Sequence, residues 1–215
     1  SVLNGVQAVT HVASRNTFAI RLTVVFFGAV LAGAMLTGQL LGGMPAAASN
    51  WSGATSYTGC HQLNKADSAA HGYYYSSLNS ANMAAMNWAR VNAIDPTDVN
   101  TYNDALNAQT DVVVFDGNFA GYCGLSWYPN ASGIVGLATC VSLSGTSCEQ
   151  HQIYLHEPWT TTVPTDYLQA LASHESGHTL GLAHRTSGST SMRVGYPKAS
   201  RYYDGHDWDH LNAAY

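Results

Sequence analysis

The chain has 215 residues, 46% of them hydrophobic and 11% aromatic, enough for one packed domain and too many for compositional disorder. Only 10% of residues are charged and the formal net charge is −5, so Ser, Thr, Asn, Gln and Tyr must cover much of the surface. No basic stripe is present to attract a polyanion, which argues against nucleic acid as a partner.

The sequence opens on Ser1 rather than Met, so its start need not be the protein's own. Residues 1–48 carry Arg15 and Arg21 and no acidic residue, and residues 22–44 are almost wholly apolar. Pro45 and then Ala46-Ala47-Ala48 follow. A basic flank, an apolar run and a small-x-small site predict a secretory signal peptide over 1–48, cleaved near Ala48. The run is also long enough to span a bilayer, so a retained membrane anchor is the alternative. Removing the segment leaves six Lys and Arg against 13 acidic residues in 49–215.

All four cysteines lie beyond that site. An even count in an exported chain predicts two disulfides, with three pairings open. Cys140–Cys148 and Cys60–Cys123 are the favoured pairs, the first closing a Ser- and Gly-rich hairpin loop over 141–147. The chain-entropy model assigns about 2.5 kcal/mol to the short loop and about 4 kcal/mol to the long one. A zinc-cysteine site is the competing reading, and the lack of a Cys-x-x-Cys pair speaks against it.

Within 50–215 there is neither an internal repeat nor a linker. Residues 71–78, with three consecutive tyrosines, read as a first strand. Ser80 is expected to cap a helix carrying Met83, Met86, Trp88 and Val91, which should stop near Asp95-Pro96. The β-branched run 111–115, closed by Asp116-Gly117, reads as a strand and turn. Residues 133–140 and 151–155 are two more strands. A helix should begin at Thr165 or Asp166 after Pro164, run through His174 and His178, and end at Gly181. A last short helix is expected over 207–215. Strands interleaved with helices, followed by helices, predict a mixed α/β layer of the α+β class.

The chemistry concentrates in His174-Glu175-Ser176-Gly177-His178-Thr179-Leu180-Gly181-Leu182-Ala183-His184. Histidines four apart stack on one helix face and can converge on one ion. A glycine three residues later lets the helix stop and the chain turn back, bringing His184 in from another direction. Three imidazoles leave one position of a tetrahedral zinc open, the mark of a catalytic site. Glu175, next to His174, can reach a water there without being a ligand, and so serve as general base and acid.

This pattern resembles the metzincin zinc peptidases, whose motif is His-Glu-x-x-His-x-x-Gly-x-x-His followed by a methionine-bearing turn. Met192 falls eight residues after His184, a spacing similar to the matrixin branch of collagenase-like and related microbial secreted enzymes. The resemblance implies a twisted mixed sheet, an active-site helix, a Met-turn and a C-terminal helix, with Met192 as the apolar floor under one catalytic Zn2+. It further implies that Leu137 and Ala138 lie on an edge strand where an extended substrate pairs, and that Tyr196-Pro197 lies near a pocket wall. Asp207 would brace the Met-turn. Astacin- and serralysin-like enzymes carry tyrosine where Val194 stands. Arg185 also departs, since matrixins often have Ser or Thr there and adamalysin-like enzymes Asp.

Two family features are missing from the sequence. No propeptide with a metal-blocking cysteine lies between Ala48 and the first predicted strand, so latency by that device is not expected unless residues are missing upstream. A second, structural zinc cluster is not recognisable. His151 and His156 sit on opposite faces of a strand by the period of two and read as surface or core residues. His61, His71, His206 and His210 show no spacing that establishes a ligand set, and calcium binding is left open because no acidic loop has recognised ligand spacing. The expectation is a monomeric secreted zinc endopeptidase acting on extended protein or peptide substrates. A secreted zinc-containing binding module without turnover and a membrane-anchored peptidase are the alternatives.

Overall fold

Three β-branched or aromatic runs form the centre of a mixed five-stranded sheet. The computed structural model describes residues 50–60, 62–195 and 200–215, all within Pro45–Tyr215, one of the two units into which the chain divides. The predicted signal segment 1–48, His61, Tyr196 and Pro197 lie outside the described residues.

The elements run β1 (Ala70–Ser76), α1 (Ser80–Ala89), β2 (Asn100–Asn103), β3 (Val112–Gly117), β4 (Gly136–Ser144), β5 (Ser147–His156), α2 (Glu157–Thr160), α3 (Thr165–Thr179) and α4 (Gly205–Ala214). Helix α1 continues as a π-helical stretch over Arg90–Ile94, which ends two residues before Pro96, with Asp95 as its C-cap. The sheet order is β2-β1-β3-β5-β4. The first four of these strands are parallel, and β4 runs antiparallel to β5 at the sheet edge.

The period of two divides the sheet into two packed faces. Val112, Val114, Ala138, Ile153 and Leu155 join Met86, Ile94, Leu168 and Leu171 in the main core. Leu137 and Tyr154, from the alternate positions of β4 and β5, pack with Trp127, Phe115 and Phe119 in a smaller aromatic cluster.

Several expectations need correction. The N-cap of α1 is Asn79, not Ser80, because the Asn79 carboxamide oxygen accepts the Asn82 N–H at 3.0 Å. The first strand ends at Ser76, short of the expected residue 78. Strand β2 went unrecognised, because Asn-Thr-Tyr-Asn shows no apolar alternation and its four residues are fixed by parallel pairing to β1. The stretch 141–147 is not a loose loop: β4 and β5 continue through most of it, with register shifts at Cys140/Ser142 and Ser142/Leu143. The Cys140–Cys148 disulfide therefore staples a paired hairpin, and Cys60–Cys123 is the second bridge. His151 and His156 are both core residues, 1% and 0% exposed.

Among the described residues no helix is long and apolar enough to cross a membrane. The two disulfides fit an oxidising compartment.

Candidate metal centre

Helix α3 is buried on all sides from Ala170 to Thr179. Yet this stretch contains Ser173, His174, Glu175, Ser176, His178 and Thr179. A helix needed only for packing would not bury so many polar side chains, since each costs desolvation unless it finds a partner.

The end of α3 is a Schellman motif. Leu182 N–H donates to Gly177 C=O at 2.9 Å, and Gly181 N–H to His178 C=O at 3.1 Å. Gly181 takes φ +95°, and a side chain there would press on Trp51 and the Lys65 backbone. This reversal carries His184 back to the helix face it has just left.

The three imidazoles meet at one point. Nε2 of His174 lies 3.0 Å from that of His184, and Nε2 of His178 lies 3.1 Å from both. His174 and His178 are buried, whereas His184 is exposed. Hydrogen bonds on the far side of two rings fix their tautomers. His174 Nδ1–H donates to Ser191 C=O at 2.7 Å, and His178 Nδ1–H to Leu182 C=O at 2.6 Å. Both Nε2 atoms therefore present lone pairs to each other at contact distance, an arrangement that is repulsive unless a cation lies between them. Nitrogens bound at 2.0–2.1 Å to a tetrahedral zinc stand roughly 3.3 Å apart, so the observed spacing fits such an ion with little adjustment. The backbone carbonyls supply the outer-shell acceptors that metal-ligating histidines use. These residues could hold a metal, and imidazole donors suit zinc, copper, iron or nickel.

Two glycines shape the surroundings. A Cβ on Gly177 would collide with Met192 Sδ, so the bare helix backbone admits the methionine, which is fully buried. A Cβ on Gly136 would lie 2.5 Å from Glu175 Oε1 and 2.8 Å from Leu171 Cδ1. Glu175, 4% exposed, thus keeps its position against β4 because residue 136 has no side chain.

The turn carrying Met192 is braced from α4. Thr190 Oγ1–H donates to Asp207 Oδ2, and Met192 N–H donates to Thr190 Oγ1 at 3.1 Å. Asn50 Nδ2–H donates to Asp207 Oδ1 at 2.9 Å. Asp204 and Asp207 close a capping box at the start of α4. Arg185, the residue at odds with the family pattern, pairs with Asp204 at 2.5 Å and approaches Asp207 at 3.6 Å.

A cavity of about 700 Å³ opens over the three histidines and Glu175. Gly136, Leu137 and Ala138 line it from the outer edge of β4, whose middle is covered where Gly59 pairs with Cys140. Sequence reasoning placed Leu137 and Ala138 here but missed Leu63, Tyr128, Trp159 and Ile134, which also line it. These arrive from separate loops, and no spacing links them to the histidine motif. Tyr196 lies outside the described residues, although Val194 and Gly195 at the start of that stretch reach the cavity.

Cys140, Cys148 and His151 also bring ligand-type atoms together, but both sulfurs are bound in the disulfide. His71 and His151 are fully buried, with rings 6.3 Å apart. Burial lowers the pKa of His151 to about 4, against a hydrogen bond to Asn64 C=O that raises it. Burial, aided by His151 and Arg90, also holds His71 well below its ordinary value. Comparison of the chain with family models and with curated proteins finds no match to either.

Proposed function

We propose that the chain is a secreted zinc-dependent endopeptidase of the metzincin type, nearest the matrixin branch. The observation that carries this reading is the convergence of three imidazole nitrogens beside a buried glutamate, on the floor of an open cleft. When bound, zinc supplies Lewis acidity and brings the pKa of a coordinated water to about 7. His174, His178 and His184 would hold the ion, with the first two aimed by the carbonyls of Ser191 and Leu182. Glu175 takes a proton at a carboxylate oxygen as water attacks the peptide carbonyl, then returns it to the leaving amine. The β4 edge at Leu137 and Ala138 would pair with an extended protein or peptide segment, because a sheet edge offers unpaired N–H and C=O groups. Met192 closes the site from below with apolar contact. Export is supported by the two disulfides and by the signal-like residues 1–48.

Casein or gelatin hydrolysis by the purified chain, with metal content measured alongside, tests the reading. Glu175→Gln is expected to keep one zinc per chain and lose about 10²–10⁴-fold in kcat, the range of a general acid–base contribution. A chelator should abolish the activity. Full activity in the chelated protein or in Glu175→Gln would sink the mechanism. One zinc per chain with no cleavage of any peptide library would point instead to a binding module.

A further inference from the structure

The edge of β4 beside the cleft is short, and one end of it is closed. Alternate residues of a strand turn their N–H and C=O groups to the same side. Val135 C=O accepts from His156 N–H of β5 at 2.9 Å, whereas Cys140 C=O accepts from Gly59 N–H at 2.8 Å on the opposite side. The pairing with β5 runs without a shift from Gly136 to Cys140. Leu137 and Thr139 therefore turn their backbone groups to β5, while Gly136, Ala138 and Cys140 turn theirs outward. Cys140 is taken by Gly59, which leaves Gly136 and Ala138 to pair with a guest.

Gly59 is held firmly in that position. Thr139 Oγ1–H donates to its carbonyl at 2.5 Å, and the next residue, Cys60, is bonded to Cys123. Gln62 N–H also donates to Gly59 C=O, at 3.1 Å, in a turn that takes the chain off the strand edge. Past the turn, Leu63 lines the cavity. Asn64, fully buried, donates from Nδ2 back to Tyr57 C=O at 2.7 Å and so ties the two arms of the segment together. Glu175 lies against Gly136, so the reacting bond sits at that end of the free edge. From Gly136 to Cys140 the strand advances roughly 13 Å, with Leu137, Ala138 and Thr139 in between.

We propose that Gly59 and Leu63 form an end wall that limits sheet pairing to about three residues of a peptide on the N-terminal side of the bond cleaved. The inference rests on the peptidase reading and adds a substrate class to it. Gly59 pairs antiparallel to Cys140, and a peptide that continues this edge in the same sense runs from Gly59 toward Gly136. Its N-terminal part therefore meets the wall. The favoured substrates are chains cut close to a free N-terminus, or chains with a bend before the cut that carries them off the edge.

Fluorescent peptides with a fixed Ala-Leu core, lengthened at the N-terminus one alanine at a time, test the proposal. Mass spectrometry of wild-type digests locates the cut, and anisotropy with zinc-loaded Glu175→Gln gives the affinity of each length. Affinity should rise about 10- to 30-fold over the first three residues before the cut, the scale of two hydrogen bonds to Ala138. The fourth and fifth residues should change it less than about twofold, since no further backbone group is open to pair. In Cys60→Ser/Cys123→Ser the wall loses its covalent anchor, and the fourth and fifth residues should then add about threefold or more. Thermal melts check that this variant folds, and Thr139→Val, which keeps both cysteines, should shift the break the same way. Affinity that keeps climbing through the fourth and fifth residues in wild-type background, with cleavage intact, overturns the wall alone. A break at the same length in both variants also overturns it. If the wild type cleaves none of the peptides, the peptidase reading fails, while a break in affinity with N-terminal length still upholds the wall. Binding of no peptide at any length overturns both.

Discussion

His174, His178 and His184 meet on the cleft side of α3, whereas His71 and His151 stand on strands, and His71 reaches α3 through Thr179 at 3.0 Å. Both groups include fully or nearly buried rings. In the first, nitrogens converge at 3.0–3.1 Å and the far side of two rings is tied to backbone. In the second, each ring bonds to a different partner, the two rings stay 6.3 Å apart, and burial keeps both neutral. Convergence combined with an open side is what separates a candidate ligand set from core histidines. Burial alone does not.

The sharpest way to break this comparison is to exchange one histidine in each group. His178→Gln should weaken zinc binding on the order of 1,000-fold, because the roughly 10–16 kcal/mol of a zinc site is shared among few ligands. His151→Gln should leave the cleft's zinc affinity within a few-fold of wild type. Competition with a metal-sensitive dye measures both. Equal losses would mean that the strand histidines take part in the metal site.

The next effect tests the open side of the centre. Gly136→Ala places a methyl group 2.5 Å from Glu175 Oε1, so the carboxylate must move. Activity should fall about 10- to 100-fold while zinc affinity is kept, since misplacing a catalytic group by an ångström costs roughly that much. A loss of zinc in this variant would show instead that Gly136 supports the ligands.

Legibility in the sequence followed the range of the interactions involved. The helix ending at Gly181 was readable because a Schellman turn is written within six residues, and so was the convergence of His184. The capping role of Asn79 was misassigned by one residue, since Ser80 is an equally good cap by type. Strand β2 and the cleft residues Tyr128 and Trp159 were not legible, because each depends on a partner far along the chain. The need for glycine at 136 and 177 was hidden for the same reason: the atoms that exclude a side chain belong to Glu175 and Met192.

The neutral pair predicts an acid sensitivity separate from the metal. The His151 pKa falls from 6.5 in the unfolded chain to about 4 in the fold, so its contribution is fully present above pH 6.5. It is lost as pH falls toward 4, where the unfolded chain binds the proton first, and the full loss is about 3 kcal/mol. Asp111, pushed up to about 6 by burial, gains a proton in the same window and acts in the opposite direction. The reading is therefore the difference between metal-free wild type and metal-free His151→Gln in denaturant melts from pH 7 to 4. That difference should shrink as the pH drops. A difference independent of pH would show that His151 does not titrate with unfolding.

The smallest effect concerns the brace between the two sides of the centre. Asp207 is fully buried, accepts from Asn50, Thr190 and the Asp204 N–H, and lies 3.6 Å from Arg185. Asp207→Asn preserves the shape but puts an NH2 where one oxygen accepted, and it removes the charge facing Arg185. The cost should be about 2 kcal/mol, the scale of a charge-assisted hydrogen bond. The Thr190 contact orders the turn whose Ser191 carbonyl aims His174, so zinc affinity should also drop, by no more than about tenfold, because Asp207 acts at one remove from an outer-shell partner. Thermal melts with and without zinc separate the two effects. If stability falls and zinc affinity does not, the brace serves α4 alone and the turn is held by the backbone bonds of Arg185 with Met192 and Val194.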